Sequence, residues 1–459
     1  MTAEEHRSDD ENRKQRHISL DRHSSRYRTE FEELTDEFHA KCPVAWNDTH
    51  DGHWFVSGNK ELFDVARRAD VLSNDADVHY QRRGYDGIHI PAMSRERRKG
   101  MVGGFLEMDP PAQRHYRNAL NPYLSPAAVA RWQPVIDDIT RACLDEVIET
   151  GRIDFVDDLA NIVPAVLTMA MLGLPLTDWV VYCEPTHASV YTPPDSPDYP
   201  RVREISTQMG RRLHGSLAEI RENPRPGLVN AVVTADINGS PPDDMEAIGV
   251  VMLLIGGGFD TTTALTAHSL EWLSEHPDER ARLIEEWETL RDSATEEFLR
   301  FYTPATGAGR TISQDVEING TRFKESERVW LSWAMANRDA TVFEEPHTVC
   351  MDRTGNRHSS FGLGIHRCIG SNVARVTFKT MLKAVLDRMP DFVCDQAGAV
   401  HYDTTGIING MKNLPAAFTP GTRLGAGLDE TIARLQRVVD EQGLAEPVTV
   451  RRDQARLTD

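Results

Sequence analysis

Apolar residues recur along most of this chain at the three- and four-residue spacing of amphipathic helices, and only short stretches read as strands. Helical periodicity covers 126–151, 155–173, 202–221 and the long run from Met245 to His276. Around Trp46 and Trp54-Phe55-Val56 the pattern turns strand-like, Ser57-Gly58 marks a turn, and Lys60 to Arg68 predicts a short helix. Val316 to Thr321 reads as a hairpin around Asn319-Gly320, and Val329 to Ala336 as a buried strand. Ile369 to Met389 is an amphipathic helix, and Gly406 to Gly410 reads as a hairpin tip. Between these elements, 69–104 carries Gly84, Gly87, Pro91 and the basic run Arg95 to Lys99 without any period, so a long loop is expected. The cluster Pro185, Pro193, Pro194, Pro197 and Pro200 predicts an extended, mobile connection between two helices, because proline removes a donor and bars helix continuation.

The two ends differ from the middle. Met1 to about Arg28 is charged and poor in apolar residues, which predicts a disordered or loosely held arm. Within 421–459, Leu428, Ile432, Leu435, Val438 and Val439 recur at helical spacing, so this extension should carry an amphipathic helix. Residues 29–420 are left as the main domain. At 459 residues the chain is long enough to bury a large core. Lys and Arg total 51 against 71 Asp and Glu, a formal charge of -20, which argues against a nucleic-acid binder and against adsorption to an anionic membrane. The longest apolar run, Ala247 to Gly258, is too short for stable membrane insertion. The six cysteines are scattered without a Cys-x-x-Cys pair, so neither a disulfide framework nor a zinc site is expected, and a reducing cytoplasmic setting is.

Two stretches carry chemistry. The Met245–His276 helix would be roughly 48 Å long at 1.5 Å per residue, with Asp243 or Asp244 as its cap. Its middle is Gly256-Gly257-Gly258-Phe259-Asp260-Thr261. Glycine in a helix interior costs roughly 0.5–1 kcal/mol against alanine, and close approach of a flat ligand would offset that. Gly257 and Gly258 share a side with Thr261, giving a small cleft beside a hydroxyl. The second stretch, Phe361 to Gly370, sets Cys368 in a glycine-rich loop directly ahead of a helix, where N–H groups can stabilise a thiolate. Phe361 offers an apolar plate, and His366 and Arg367 offer positive charge. These are the requirements for holding haem iron by one cysteine sulfur. Glu297 and Arg300 lie three apart and can pair on one helix face.

The stretch Phe361-Gly362-Leu363-Gly364-Ile365-His366-Arg367-Cys368-Ile369-Gly370 resembles the haem-binding signature of the cytochrome P450 family, with every fixed position filled. Gly257-Gly258-Phe259-Asp260-Thr261 resembles that family's oxygen-binding motif, and Glu297-Phe298-Leu299-Arg300 its Glu-x-x-Arg motif, in the same chain order. The resemblance covers roughly Trp46 to Phe418 and implies the cytochrome P450 fold, mainly α with a small β region, holding haem b. It implies Cys368 as the metal ligand, flanked by Phe361 and Gly370, and Arg117, Arg310 and His366 as propionate anchors. Many members have histidine where this chain has Gln113, which leaves a neutral donor there. Thr261 and Asp260 would form an acid–alcohol pair that handles protons at the oxygen site. Glu297 and Arg300 would be structural, joined by Arg353 or Arg338, of which Arg353 fits the spacing better. Leu254, Tyr302, Ala305, Thr306, Ala308, Ile407 and Ile408 would line the substrate pocket, with 69–104 and the proline-rich connection over it.

The implied reaction is insertion of one atom of O2 into a small to medium hydrophobic substrate, such as a terpenoid, steroid or fatty acid. Nothing in the chain resembles a flavin or nicotinamide domain, so the implied electron source is a separate ferredoxin or flavodoxin with its NAD(P)H reductase, for which Arg367 and Lys379 are candidate contacts. Two rival readings stay open: a peroxide-driven peroxygenase or other reaction on the same haem, and a non-catalytic haem sensor. Val349-Cys350-Met351 departs from the Phe-Asp common in the family, and the extension after Phe418 has no counterpart in it.

Overall fold

The tryptophan-bearing strands pair with each other. In the computed structural model, which describes residues 16–77, 81–93, 103–193, 195–237, 239–403 and 406–448, Val44–Asn47 and His53–Val56 run antiparallel with Trp46 opposite Trp54. They sit in a six-stranded sheet ordered His17–Ile18, Val44–Asn47, His53–Val56, Arg328–Ser332, Gly307–Ile312, Leu72–Ser73. Asn319 and Gly320 both take positive φ, 52° and 72°, the conformation a two-residue hairpin turn demands, and they join Val316–Ile318 to Thr321–Phe323. The architecture is mainly α-helical with this small β region.

The chain forms two compact units. The first takes the described residues of Met1–Asp109, Glu286–Cys368 and His401–Gly410. It holds the six-stranded sheet, whose apolar faces bury Trp54, Val56, Val329 and Leu331 on one side and Phe55 and Trp330 on the other. The second takes the described residues of Pro110–Glu285, Ile369–Val400 and Met411–Asp459 and is built on helices. Its innermost element is Ile162–Leu172, in which every residue is buried, as the near-unbroken apolar sequence requires.

Several expectations need correction. The polar N-terminal arm is ordered from Arg16 onward: His17–Ile18 pairs in parallel with Trp46 and Asn47, and Ser25–Thr29 is a helix capped by Ser24. The reason is Arg22, a charged residue that is nonetheless 1% exposed. Its guanidinium lies 3.3 Å from the Trp330 ring centroid and donates to the carbonyls of Ile90 and Gly406. The stretch read as one strand over Val329–Ala336 is the strand Arg328–Ser332 followed by a helical turn, Trp333–Ala336, which Ser332 caps. Pro185 lies inside the helix Trp179–Tyr191 rather than in a connection. The donor it lacks would have served the Val181 carbonyl, on an exposed turn where water can replace it. Met245–His276 is two helices, Asp244–Gly258 and Asp260–Glu275, broken at Phe259 (φ -92°, ψ -82°). Asp243 caps the first by accepting from the Glu246 N–H at 2.9 Å. This Asp244–Glu275 stretch is the one segment among the described residues long and apolar enough to cross a membrane, and half of its apolar window is buried. The basic run Arg95–Lys99 and Pro194 lie outside the described residues.

In the second unit the C-terminal helix Leu428–Gln442 packs on Gln133–Val147, burying Ile432, Leu435 and Val439. Its approach is pinned by Asp145, whose carboxylate accepts from the Leu424 and Gly425 N–H groups and pairs with Arg141 and Arg388. Leu435 is 1% exposed. Leu435→Ala should therefore cost about 2–4 kcal/mol, read as a lower urea midpoint; an unchanged midpoint would mean that the helix contributes no core.

Candidate active site

In the first unit the cysteine loop is shaped by two glycines. Gly362 and Gly364 take φ of 66° and 69°, and a Cβ on Gly364 would stand 2.9 Å from the Ala66 carbonyl oxygen. Only glycine meets both demands. The loop closes through the Cys368 N–H, which donates to the Phe361 carbonyl at 2.7 Å, and the Gly362 N–H, which donates to Ser359 at 2.7 Å. Cys368 is exposed, Phe361, His366 and Gly370 are half-buried, and none of the six cysteines forms a disulfide.

The loop is held from behind by Asn337, a buried amide that uses its full hydrogen-bonding capacity. Its Oδ1 accepts from the Ser359 N–H and hydroxyl at 2.7 and 2.9 Å, and its Nδ2 donates to the Thr303 and Ser360 hydroxyls at 2.8 Å each. Ser360 passes the connection on to the Leu299 carbonyl at 2.7 Å. Asn337 stands in a segment the sequence placed ahead of the loop, but nothing local marked it as the anchor.

Leu299 lies in the helix Trp287–Tyr302, which also carries Glu297 and Arg300, both with fully buried side chains. Arg300 spends all five of its N–H donors: two on Glu297 at 2.7 and 2.8 Å and three on the carbonyls of Asn337, Pro346 and Thr348. Glu297 also accepts from the Cys350 N–H, Arg353 and Asn356. Burial alone would raise the Glu297 pKa, but the hydrogen bonds and charge of Arg300, with Cys350 and Arg353, hold it below the usual carboxylate range. Arg353 takes the third place. Arg338 instead lies over the Phe301 ring, 3.5 Å from its centroid, and donates to the Phe301 carbonyl.

Arg310 lies on the strand Gly307–Ile312, 5% exposed, and burial pushes its pKa down to about 10. It donates to the neighbouring Gly309 carbonyl, and among the described residues no carboxylate reaches ion-pair distance. The Asp109 charge acts on it from beyond ion-pair distance, so the cost of burying this cation is only partly offset. That cost is what an anionic group such as a haem propionate would relieve, and the exposed Cys368 thiol supplies the sulfur donor; the residues of this unit fit haem. The same unit brings together four of the expected pocket residues. Ala305 forms a backbone bridge to Ile408, and the Thr306 N–H donates to the Ile407 carbonyl at 2.8 Å. The Tyr302 carbonyl accepts from Asn409 at 3.2 Å, while Ala308 pairs with Leu331 in the sheet.

The second unit carries the remaining candidates. Gln113, buried, and Arg117, half-buried, lie four apart on one face of Ala112–Leu124. Leu254 is half-buried on Asp244–Gly258. The glycines near the helix break have different reasons to be glycine. A Cβ on Gly258 would meet the Thr168 hydroxyl at 2.7 Å, so it admits the neighbouring helix; one on Gly257 would meet nothing within 4 Å, leaving an open face. The Thr261 hydroxyl bridges the break by donating to the Gly257 carbonyl at 3.1 Å. Asp260, 3% exposed, is bonded through Oδ1 to His187 Nδ1 at 2.8 Å. No sequence signal marked His187, which lies 73 residues away.

Comparison with known proteins is consistent with this geometry. The cytochrome P450 family model matches residues 202–395. The chain is 28% identical over 396 residues to linalool 8-monooxygenase of Pseudomonas putida, covering 82% of this chain and 93% of that one. It is 29% identical over 414 residues to steroid C26-monooxygenase of Mycolicibacterium smegmatis, covering 84% and 90%. A solved structure of a Bacillus megaterium cytochrome P450 in complex with testosterone superposes with a TM-score of 0.73 at 25% identity, over 86% of this chain and 99% of that one. Similarity that runs through more than four fifths of the chain, to enzymes named for oxygen insertion, exceeds what one shared loop could produce. The chain carries a cytochrome P450 family match over residues 202–395 and is similar along most of its length to monooxygenases of that family.

Proposed function

We propose that this chain binds haem b and inserts one atom of O2 into a small to medium hydrophobic molecule of terpenoid, steroid or fatty-acid type. The observation that carries this reading is the combination, within one unit, of an exposed cysteine on a glycine-shaped loop and the buried Arg310, which no carboxylate among the described residues reaches at ion-pair distance. Cys368 would ligate the iron, with Phe361 and Gly370 beside it. Arg310, His366 and Arg117 would hold the propionates, and Gln113 would add a neutral donor. When bound, the haem supplies oxygen activation at the cost of two electrons and two protons. The residues around it handle the rest. Gly257 leaves room, Gly258 lets the Thr168 helix approach behind it, the Thr261 hydroxyl presents a proton to the oxygen site, and Asp260 replenishes it. Leu254, Tyr302, Ala305, Thr306, Ala308, Ile407 and Ile408 would give the substrate an apolar wall.

Electrons would come from a ferredoxin or flavodoxin with its NAD(P)H reductase, with Arg367 and Lys379 as contacts, in the cytoplasm. The substrate class is supported by the relatives named for linalool and for a steroid. The test is a screen of terpenoid alcohols, sterols and branched fatty acids for a high-spin shift of the Soret band. Hits are then incubated with labelled O2, a ferredoxin and its reductase. The expected result is a saturable shift and one labelled oxygen in the product. Turnover with peroxide alone, and none with reductase, would replace this reading by the peroxygenase one.

A further inference from the structure

The mechanism above leaves one buried titratable group unused. His187, on the helix Trp179–Tyr191, is 9% exposed and holds Asp260 Oδ1 at 2.8 Å. Asp260 opens the helix Asp260–Glu275, where the helix dipole favours negative charge. Yet a carboxylate this buried still needs a partner to stay ionised. The partner here is an imidazole, which ordinarily gains and loses a proton near neutral pH, unlike a lysine or arginine. Asp260 Oδ2, by contrast, has no hydrogen-bond partner among the described residues although it is buried. One oxygen is anchored, and the other is buried with its hydrogen-bonding capacity unused among the described residues.

Aromatic and charged groups surround His187. Tyr191 lies edge-on to its ring, centroids 5.2 Å apart, and Lys412 sits 4.8 Å from the Tyr191 ring centroid. Asp157, on the π-turn Val156–Ala160, is exposed and accepts from Asn413 at 3.2 Å. Its carboxyl is pushed up by burial and by Asp154, and pulled down by the charge of His187. Cys183, on the same helix as His187, is pushed up to about 12 by burial and the nearby Asp260. It therefore stays a thiol. Glu184, also on that helix, is paired with Arg201 on the exposed side. His187 thus holds the buried carboxylate from a neighbouring helix, and its charge acts on Asp157 of the π-turn.

We propose that His187 is a positioning residue for proton delivery, anchoring Asp260 and reloading it with protons. This rests on the monooxygenase reading above. One proton leaves His187 Nδ1 for Asp260 Oδ1. The carboxyl group then turns about its soft terminal torsion and offers the proton toward Thr261. His187 regains a proton from solvent, so each cycle moves one proton inward and no electrons.

The test uses full-length, haem-loaded protein with His187→Gln, whose amide keeps a hydrogen-bond donor but does not shuttle protons. Its reduced carbon monoxide spectrum and substrate-induced Soret shift should match the native protein. Coupled product formation should fall at least about tenfold, with a larger solvent deuterium isotope effect. Separately from turnover, urea midpoints of His187→Gln, Asp260→Asn and the double variant should be non-additive, as expected for groups in contact. His187→Asn serves the same comparison if the glutamine disturbs the helix. Native turnover and an unchanged solvent isotope effect in a folded variant, or additive midpoints, would overturn the proposal. A native protein lacking the carbon monoxide spectrum would instead fail the haem reading.

Discussion

Cys368→His abolishes the red-shifted Soret band of the reduced carbon monoxide complex and lowers product formation at least about a thousandfold, some 4 kcal/mol of transition-state stabilisation. The band and the activity share one cause, the electron density that a cysteine thiolate pushes onto haem iron, which a neutral imidazole cannot supply. The change is local. Cys368 is exposed, and its structural hydrogen bond runs from the backbone N–H to Phe361, which any side chain leaves in place. Gly362 and Gly364 still set the loop, and Asn337 still holds Ser359 and Ser360. Circular dichroism and the urea midpoint should therefore match the native protein while the spectrum changes. Survival of the red-shifted band in the variant would remove Cys368 as the ligand.

Glu297→Ala should cost about 3–5 kcal/mol of stability and deplete bound haem, although Glu297 touches no reacting group. The loss arises from what remains. Arg300 would keep its buried charge with two of its five N–H donors unsatisfied, and Arg353, Asn356 and the Cys350 N–H would lose an acceptor. Because Arg300 also ties the carbonyls of Asn337, Pro346 and Thr348, the disturbance reaches Asn337 and through it the cysteine loop. The pH dependence has a definite sign. The folded pKa of Glu297 lies below its unfolded value, so the unfolded state binds more protons at acid pH. Its contribution is complete above the unfolded value, about 4.3, and disappears as pH falls through the folded one. Urea midpoints taken from pH 7 down to pH 3 should fall less steeply for Glu297→Gln than for the native chain. Parallel slopes would mean that the pair is not linked to acid unfolding.

The features that could be read from the amino-acid order are those built from contiguous residues. The Phe361–Gly370 loop depends on glycines whose positive φ is a local requirement, so its shape and its cysteine were evident within ten residues. The Leu428–Gln442 helix followed from apolar spacing alone, since a period of 3.6 belongs to the segment that carries it. The Asn319-Gly320 hairpin did so for the same reason.

Choices among distant partners were set by packing in three dimensions. Arg353 and Arg338 were both available to Glu297, and only the folded chain put one beside the carboxylate and laid the other on Phe301. A charged N-terminal arm predicted solvation, but Trp330 and two backbone carbonyls gave Arg22 a buried place worth the ordering of that segment. The His187–Asp260 contact carries no local signature, because it depends on a neighbouring helix that the chain reaches only after folding. Periodicity reports which face of a segment is apolar. Which polar group a buried carboxylate finds there depends on the free energy of the assembled interior, where each hydrogen bond must offset lost hydration.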